Sequence, residues 1–253
     1  MLIYTGMKKK LTAIILCLCL VAAGAALFTA CGEEEVVRTQ YSYYTFTYDD
    51  ELKGLVLDVS YSSLLPSGAL SLPSESYFYK DNAAAETTEH ETAVPVVKVA
   101  DGAFEGIGTL TSVSVPDSYY YLGEGCFANC KKLETVTLSR NVSSIPADAF
   151  SGCYKLETIA APETGAATVT SVGDRAFSSC LALRSTGFDF GDGVTIGERA
   201  YFYTVSLRSI DLTGASAVGS RAFQGWLSVQ TITAGSSSGW AADWNEDCSA
   251  VIN

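Results

Sequence analysis

Short segments with alternating apolar and polar residues run along the chain between about residue 110 and residue 234. Val113-Ser114-Val115, Val136-Thr137-Leu138 and Ile210-Asp211-Leu212 are three of them. A period of two places the apolar side chains on one face of an extended segment, so each predicts a strand that is buried on one side. Because the segments return at a nearly constant interval, they predict copies of one structural unit.

Each copy contains an aromatic residue that follows a small residue. The steps between the aromatics are 23, 23, 27, 24 and 22 residues, and the aromatics are Phe104, Phe127, Phe150, Phe177, Tyr201 and Phe223. Aliphatic residues stand five positions before the aromatic and six after it in all six copies, with Val229 as the last of the second set. One copy cannot bury its apolar side alone, so the copies are expected to stack as a parallel solenoid. The segment through the aromatic is too short for a full helix and predicts a turn or a single helical turn.

The repeat resembles the BspA-like leucine-rich repeats of bacterial surface proteins, whose consensus runs roughly Ile-Gly-x-x-Ala-Phe-x-x-Cys-x-x-Leu-x-x-Ile-x-Ile-Pro. Val172 to Leu183 and Ile145 to Ile159 follow it closely, whereas Thr186 and Thr204 depart from it. The resemblance covers about residues 97–234. It implies a leucine-rich-repeat solenoid of six repeats of 22–27 residues, mainly β strands with short helical turns. It also implies a role in adhesion or ligand recognition outside the cell.

The segments on either side of the repeats are expected to cover the ends of the solenoid, which needs such caps to stay soluble. We assign residues 41–96 to an N-terminal β cap with a degenerate repeat, including a hairpin formed by Thr45–Tyr48 and Leu55–Val59. We assign residues 235–253, which contain Trp240 and Trp244, to a small C-terminal cap. The two longest steps of the repeat predict loops near Thr164-Gly165 and Phe190-Gly191.

The N-terminus has the features of a lipoprotein signal peptide over residues 1–30. Three lysines at positions 8–10 precede an uncharged apolar stretch that ends in small residues. Thr29-Ala30-Cys31-Gly32 resembles a bacterial lipobox, which implies that Cys31 carries the lipid. The acidic residues that follow predict a polar tether over residues 31–40. The alternative is an uncleaved membrane anchor. Both place the remainder outside the cytoplasm, and we predict a lipid-anchored protein on the outer side of the bacterial cell membrane.

Charge and composition argue against several classes of function. The chain after residue 30 has 13 basic and 28 acidic residues, a net charge of -15, which repels phosphate backbones, so we predict no nucleic acid partner. Gly235-Ser236-Ser237-Ser238-Gly239 has the letters of a nucleophile elbow, but the chain's one histidine, His90, lies far from it between two glutamates. We therefore predict no catalytic residue, no metal site and no cofactor.

Three cysteines share one repeat position: Cys130, Cys153 and Cys180. A zinc site needs ligands that converge, whereas residues at one repeat position stack in a row. The row is expected to be buried as free thiols, because parallel side chains do not turn their Cβ atoms toward each other as a disulfide requires.

The outward positions of the repeat strands form the candidate binding surface. Small hydroxyl residues occupy them, beginning with Ser112, Ser114, Thr135 and Thr137. Hydroxyl ladders suit glycan or extended-peptide contacts, and they also suit strands for their β-propensity alone. Tyr119 and Tyr121 are candidate aromatic anchors, with core packing as the alternative. We predict a module that binds an extracellular protein or glycan; a structural envelope lipoprotein without a specific ligand is the alternative.

Overall fold

A computed structural model describes residues 44–59, 65–78, 92–163 and 165–253 of the chain. The predicted signal peptide 1–30, Cys31, the tether 31–40 and His90 lie outside these residues. Over the described ranges the chain forms strands and turns, with no helix that could cross a membrane.

Most strands of the repeats are short because each forms one side of a coil. In chain order they are β1 (Tyr44–Asp49), β2 (Gly54–Val59), β3 (Gly68–Ser71), β4 (Glu75–Phe78), β5 (Thr92–Val99), β6 (Leu110–Ser114), β7 (Thr135–Thr137), β8 (Ser144–Ile145), β9 (Thr158–Ala160), β10 (Thr168–Val172), β11 (Asp189–Ile196), β12 (Ser209–Leu212), β13 (Ala217–Val218), β14 (Thr231–Ala234) and β15 (Val251–Ile252).

Parallel ladders join the same part of successive coils, which confirms the predicted solenoid. One set of strands, which we call the front face, consists of β3-β6-β7-β9 and β12-β14-β15. A second set, the back face, consists of β8-β10-β11-β13. Apolar residues of both faces, such as Val136 and Val172, point inward and are buried. We number the coils one to six by their aromatics, from Phe104 to Phe223.

The aromatics form a continuous column through the core. Neighbouring rings are stacked with centroids 5.1 to 5.6 Å apart from Phe104 to Phe223, and interplanar angles do not exceed 19°. Tyr44 closes one end of the column with an edge-on contact to Phe104, and Trp226 and Trp244 close the other against Phe223. Stacked and edge-on rings add to the stabilisation that burial provides.

Each coil turns sharply on both sides of its aromatic. The residues two positions before and two positions after the aromatic have positive φ in all six coils, for example Arg175 at 53° and Ser179 at 61° around Phe177. This left-handed conformation reverses the chain within a few residues. It explains why a tight turn, rather than a full helix, connects the two faces.

Glycine four positions before the aromatic permits close contact between coils. A Cβ atom on Gly173 would lie 2.5 Å from the backbone nitrogen of Ala147, and one on Gly123 would lie 2.4 Å from the carbonyl carbon of Ala100. A side chain at either position would push adjacent coils apart. The recurrence of glycine there is therefore a packing requirement.

The segments before and after the repeats pack against the two ends of the solenoid. β1 and β2 pair as an antiparallel hairpin, which confirms that prediction, and β3 adds in parallel to β6. At the other end β15 pairs with β14, while Trp240 and Trp244 pack on the core. The exact domain boundaries stay predictions.

Two details of the sequence prediction were wrong. Val229 is 62% exposed, and Gln230 is buried in its place, where its Nε2 donates to the carbonyls of Thr204 and Leu207. Phe190 and Gly191 do not form a loop, because they belong to β11 and Phe190 pairs with Val169. The additional residues of the longer steps thus extend the back-face strands.

Candidate binding surface

The predicted hydroxyl residues line up across neighbouring front-face strands. Ser112 lies opposite Thr135 and Ser114 lies opposite Thr137, and the ladder continues to Thr158 and Ala160 of β9. The intervening residues Val113, Val136 and Ile159 are buried, so strand alternation directs the hydroxyls outward. The four predicted residues are half-buried and lie together on a face of small polar side chains.

Tyr119 is not part of this surface, which corrects its prediction as an aromatic anchor. Its side chain is fully buried, and its hydroxyl donates a hydrogen bond of 2.9 Å to the carbonyl of Pro73. Its own carbonyl accepts a hydrogen bond from the Ser139 hydroxyl. The physical reason is that the turn closed by the Tyr119 amide on the carbonyl of Pro116 changes the direction of the chain, so strand alternation does not extend to this position.

Tyr121 is 49% exposed, but it lies on the back side of the coil. It forms a parallel bridge with Lys98, the residue of the preceding coil at the same repeat position. Tyr120 beside it is 50% exposed, with ring centroids 6.5 Å apart. The structure therefore does not bring Tyr121 together with the front-face hydroxyls.

The front face is interrupted at the fourth coil. β9 is an edge of one sheet and β12 is an edge of the next, and among the described strands only an isolated bridge between Thr158 and Ser185 extends the first sheet into coil four. A cleft of about 390 Å³ opens at the interruption, lined by residues 186, 188–192, 207, 209–211, 213 and 214. In the sequence, Thr186 departs from the apolar pattern of the repeat at this point. That departure alone does not predict a cleft.

Several arginines of the coil surface are paired with acids. Arg175 contacts Asp148 through two nitrogens at 2.9 and 3.0 Å, and this contact raises the arginine pKa. Arg140 is 3.2 Å from Asp117, and Arg221 is 2.7 Å from Glu246. Because these bases are engaged within an acidic chain, the surface attracts cationic partners more than anionic ones.

Comparison with known proteins identifies the repeat. The sequence model described as "BspA type Leucine rich repeat region" matches residues 74–194 and 194–240 in six copies. No curated protein matches the chain significantly.

Solved structures share the fold. A leucine-rich repeat protein of Treponema pallidum is 24% identical, with a TM-score of 0.57 over 76% of this chain and 79% of that one. A leucine-rich cell surface protein of Faecalibacterium prausnitzii is 25% identical, with a TM-score of 0.52 over 77% of this chain and 53% of that one. This chain thus spans about half the length of the Faecalibacterium protein.

Proposed function

Because the chain belongs to the BspA-type leucine-rich repeat family, we propose that it is an extracellular binding module that recognises a protein or a glycan through its front face. The observation that carries this proposal is the in-register row of outward hydroxyls on β6 and β7, which offers donors and acceptors at strand spacing. A repeat scaffold presents such a surface without a catalytic group. The similar Faecalibacterium structure is described as a cell surface protein, which agrees with this role.

The proposal includes attachment to the outer side of the bacterial cell membrane by lipid on Cys31. Its support is the lipobox-like sequence Thr29-Ala30-Cys31-Gly32 that follows an apolar segment. A tether over residues 31–40 would then hold the solenoid away from the lipid surface, where its front face is accessible to large partners.

The test is binding of the full chain to arrays of host matrix proteins and bacterial envelope glycans. Thr135→Arg with Thr137→Arg places two long, charged side chains on the front face, and it should abolish binding to any partner that the native chain retains. Ser171→Arg with Thr195→Arg makes the same change at paired, outward positions of β10 and β11 on the back face, and it should leave binding intact.

Two results would contradict the proposal. Equal loss with both double variants would mean that the front face has no special role. An absence of any partner on either array would favour a structural envelope lipoprotein that has no specific ligand. Circular dichroism of each variant checks that the fold is retained.

A further inference from the structure

The cleft at the fourth coil exposes the edges of two strand-like segments that face each other. In regular coils the strand residue nine positions after the aromatic donates its amide to the next coil, as Ile159 does to the carbonyl of Ser185 across 3.0 Å. The residue eleven positions after the aromatic does the same, as Leu138 does to the carbonyl of Ala160 across 3.0 Å. The corresponding donors of coil four are the amides of Thr186 and Phe188, and the corresponding acceptors of coil five are the carbonyls of Ser209 and Asp211.

Neither of these two hydrogen bonds is formed among the residues that the structure describes. β12 pairs with β14 only, so the groups of Ser209 and Asp211 that face coil four have no strand beside them. Thr186, Phe188, Ser209 and Asp211 all line the cleft. Its two walls therefore present backbone donors on one side and backbone acceptors on the other, which is what an added strand needs.

The gap has a local cause in Gly187. This residue has a φ of 53°, and a Cβ atom placed on it would lie 2.0 Å from the carbonyl oxygen of Ile159. The backbone of coil four is thus pressed against coil three at this point and directed away from β12. In the other coils the equivalent residue belongs to a regular strand, as Thr137 does in β7.

The cleft is acidic and partly aromatic. Asp189, Asp192 and Asp211 line it, all three are exposed, and no lysine or arginine is among its described lining residues. The side chain of Phe190 contributes an apolar wall and contacts Phe188 edge-on with ring centroids 5.7 Å apart. A guest with alternating basic and apolar side chains would match this lining.

We propose that this cleft receives an extended, basic segment of a protein partner, which enters as an added strand between the fourth and fifth coils. The inference rests on the proposed function and specifies its partner class. The strands on either side of the interruption, β9 and β12, are three and four residues long, so a guest segment of about three to four residues, roughly 10 to 14 Å when extended, would fill the missing part of the ladder.

The probe is a fluorescent peptide of nine residues in which lysine alternates with threonine and valine, titrated into the full chain. Two control peptides differ in one property each: one has glutamate in place of lysine, and the other has proline in place of valine, which removes amide donors. We expect saturable binding of the basic peptide and at least about tenfold weaker binding of both controls.

Variants of the chain test the location. Asp192→Asn with Asp211→Asn should weaken the basic peptide about fivefold to tenfold, since two charge pairs are lost. Asp50→Asn with Glu75→Gln removes the same charge at exposed positions of the N-terminal segment and should leave the affinity unchanged. An equal effect of both pairs would show that only the overall charge attracts the peptide, and it would overturn the inference.

Amide hydrogen exchange tests strand addition directly. In the free chain the amides of Thr186 and Phe188 should exchange rapidly, whereas the amide of Ile159, bound to Ser185, should be protected. A saturating amount of the basic peptide should slow exchange at Thr186 and Phe188 and leave Ile159 unchanged. Protection of both amides in the free chain would show that the ladder is closed and would overturn the inference.

The two proposals fail separately. If the front-face variants abolish binding to an array partner and the cleft binds no peptide, the proposed function stands and the inference falls. If the peptide binds the cleft but Thr135→Arg with Thr137→Arg leaves binding to every array partner unchanged, the front-face proposal falls. The cleft is then the recognition site.

Discussion

The thiol of Cys153 donates a hydrogen bond to the carbonyl oxygen of Phe127 on the preceding coil, with the sulfur 3.0 Å from the oxygen. Cys130 makes the same contact with Phe104, and Cys180 makes it with Phe150, each at 3.1 Å. All three cysteines are buried and free, which confirms the predicted row without disulfides. The contact gives the geometric reason, since each sulfur is directed to a backbone oxygen and not to the next sulfur.

We predict that these thiols make the fold sensitive to alkali. Burial raises the pKa of Cys130 from its ordinary value of 9.0 to about 12, and it raises the pKa of Cys153 and Cys180 as well. In the unfolded chain the thiols lose their protons near pH 9, while in the folded chain they keep them. Their contribution to stability is thus complete below pH 9 and is lost as the pH rises toward 12.

The measurement is the free energy of unfolding by urea between pH 8 and pH 11. One such thiol lowers it by up to about 1.4 kcal/mol per pH unit once the unfolded thiol is ionised. Cys130→Ala should lessen the slope above pH 9 by about this amount, although it lowers stability at pH 7. An unchanged slope would show that the Cys130 thiol ionises in the folded chain.

A second prediction concerns the left-handed position after each aromatic. Ser179 has a φ of 61°, and in three other coils glycine occupies this position, for example Gly152 with a φ of 74°. A side chain is disfavoured in this conformation, so Ser179→Gly should raise the free energy of unfolding by about 0.5 to 1 kcal/mol. Its neighbour Ser178 does not have a positive φ, so glycine brings no relief there, and Ser178→Gly should lower the free energy of unfolding. Urea midpoints of the two variants provide the check, and a shift in the same direction would contradict the argument.

The repeat made most of the fold predictable from the sequence. Equal spacing of Phe127, Phe150 and their counterparts required a stacked column, and the alternation at Val136-Thr137-Leu138 required strands with one buried face. Both signals are periodic, and periodicity specifies which residues lie above one another. The front-face positions of Ser112 and Thr135 followed for the same reason.

The features that escaped prediction lie where the period is broken. Tyr119 belongs to a connecting segment, and its burial depends on a hydrogen bond to Pro73, 46 residues earlier in the chain. The cleft depends on the contact of Gly187 with Ile159 of another coil. Such contacts between distant residues have no local pattern in the sequence, so only the three-dimensional arrangement shows them.

A third prediction concerns the N-terminus. Mass spectrometry of the native protein should find Cys31 as the first residue, with a diacylglyceryl group on its sulfur. The expectation follows from the lipobox-like sequence and the preceding apolar segment. Cys31→Ala should prevent lipid attachment, and Cys19→Ala, within the apolar segment, should have no effect on it. An intact signal segment, or a mature N-terminus at another residue, would contradict lipidation.

The last prediction compares the same substitution at two buried tyrosines. Tyr201 takes the place of phenylalanine in the aromatic column, and its hydroxyl is buried without a hydrogen-bond partner among the described residues. Burial raises the pKa of the Tyr201 hydroxyl. A phenylalanine at this position would have the same stacked ring. Tyr201→Phe removes an unsatisfied polar group and keeps the ring, so it should raise the free energy of unfolding by about 1 kcal/mol. Tyr119→Phe removes a hydroxyl that donates to the carbonyl of Pro73, and it should lower the free energy of unfolding by about 1 kcal/mol.

Thermal unfolding midpoints of the two variants should therefore move in opposite directions by about 2 to 4 °C. A decrease with Tyr201→Phe would show that its hydroxyl has a partner, such as a buried water molecule, within the column.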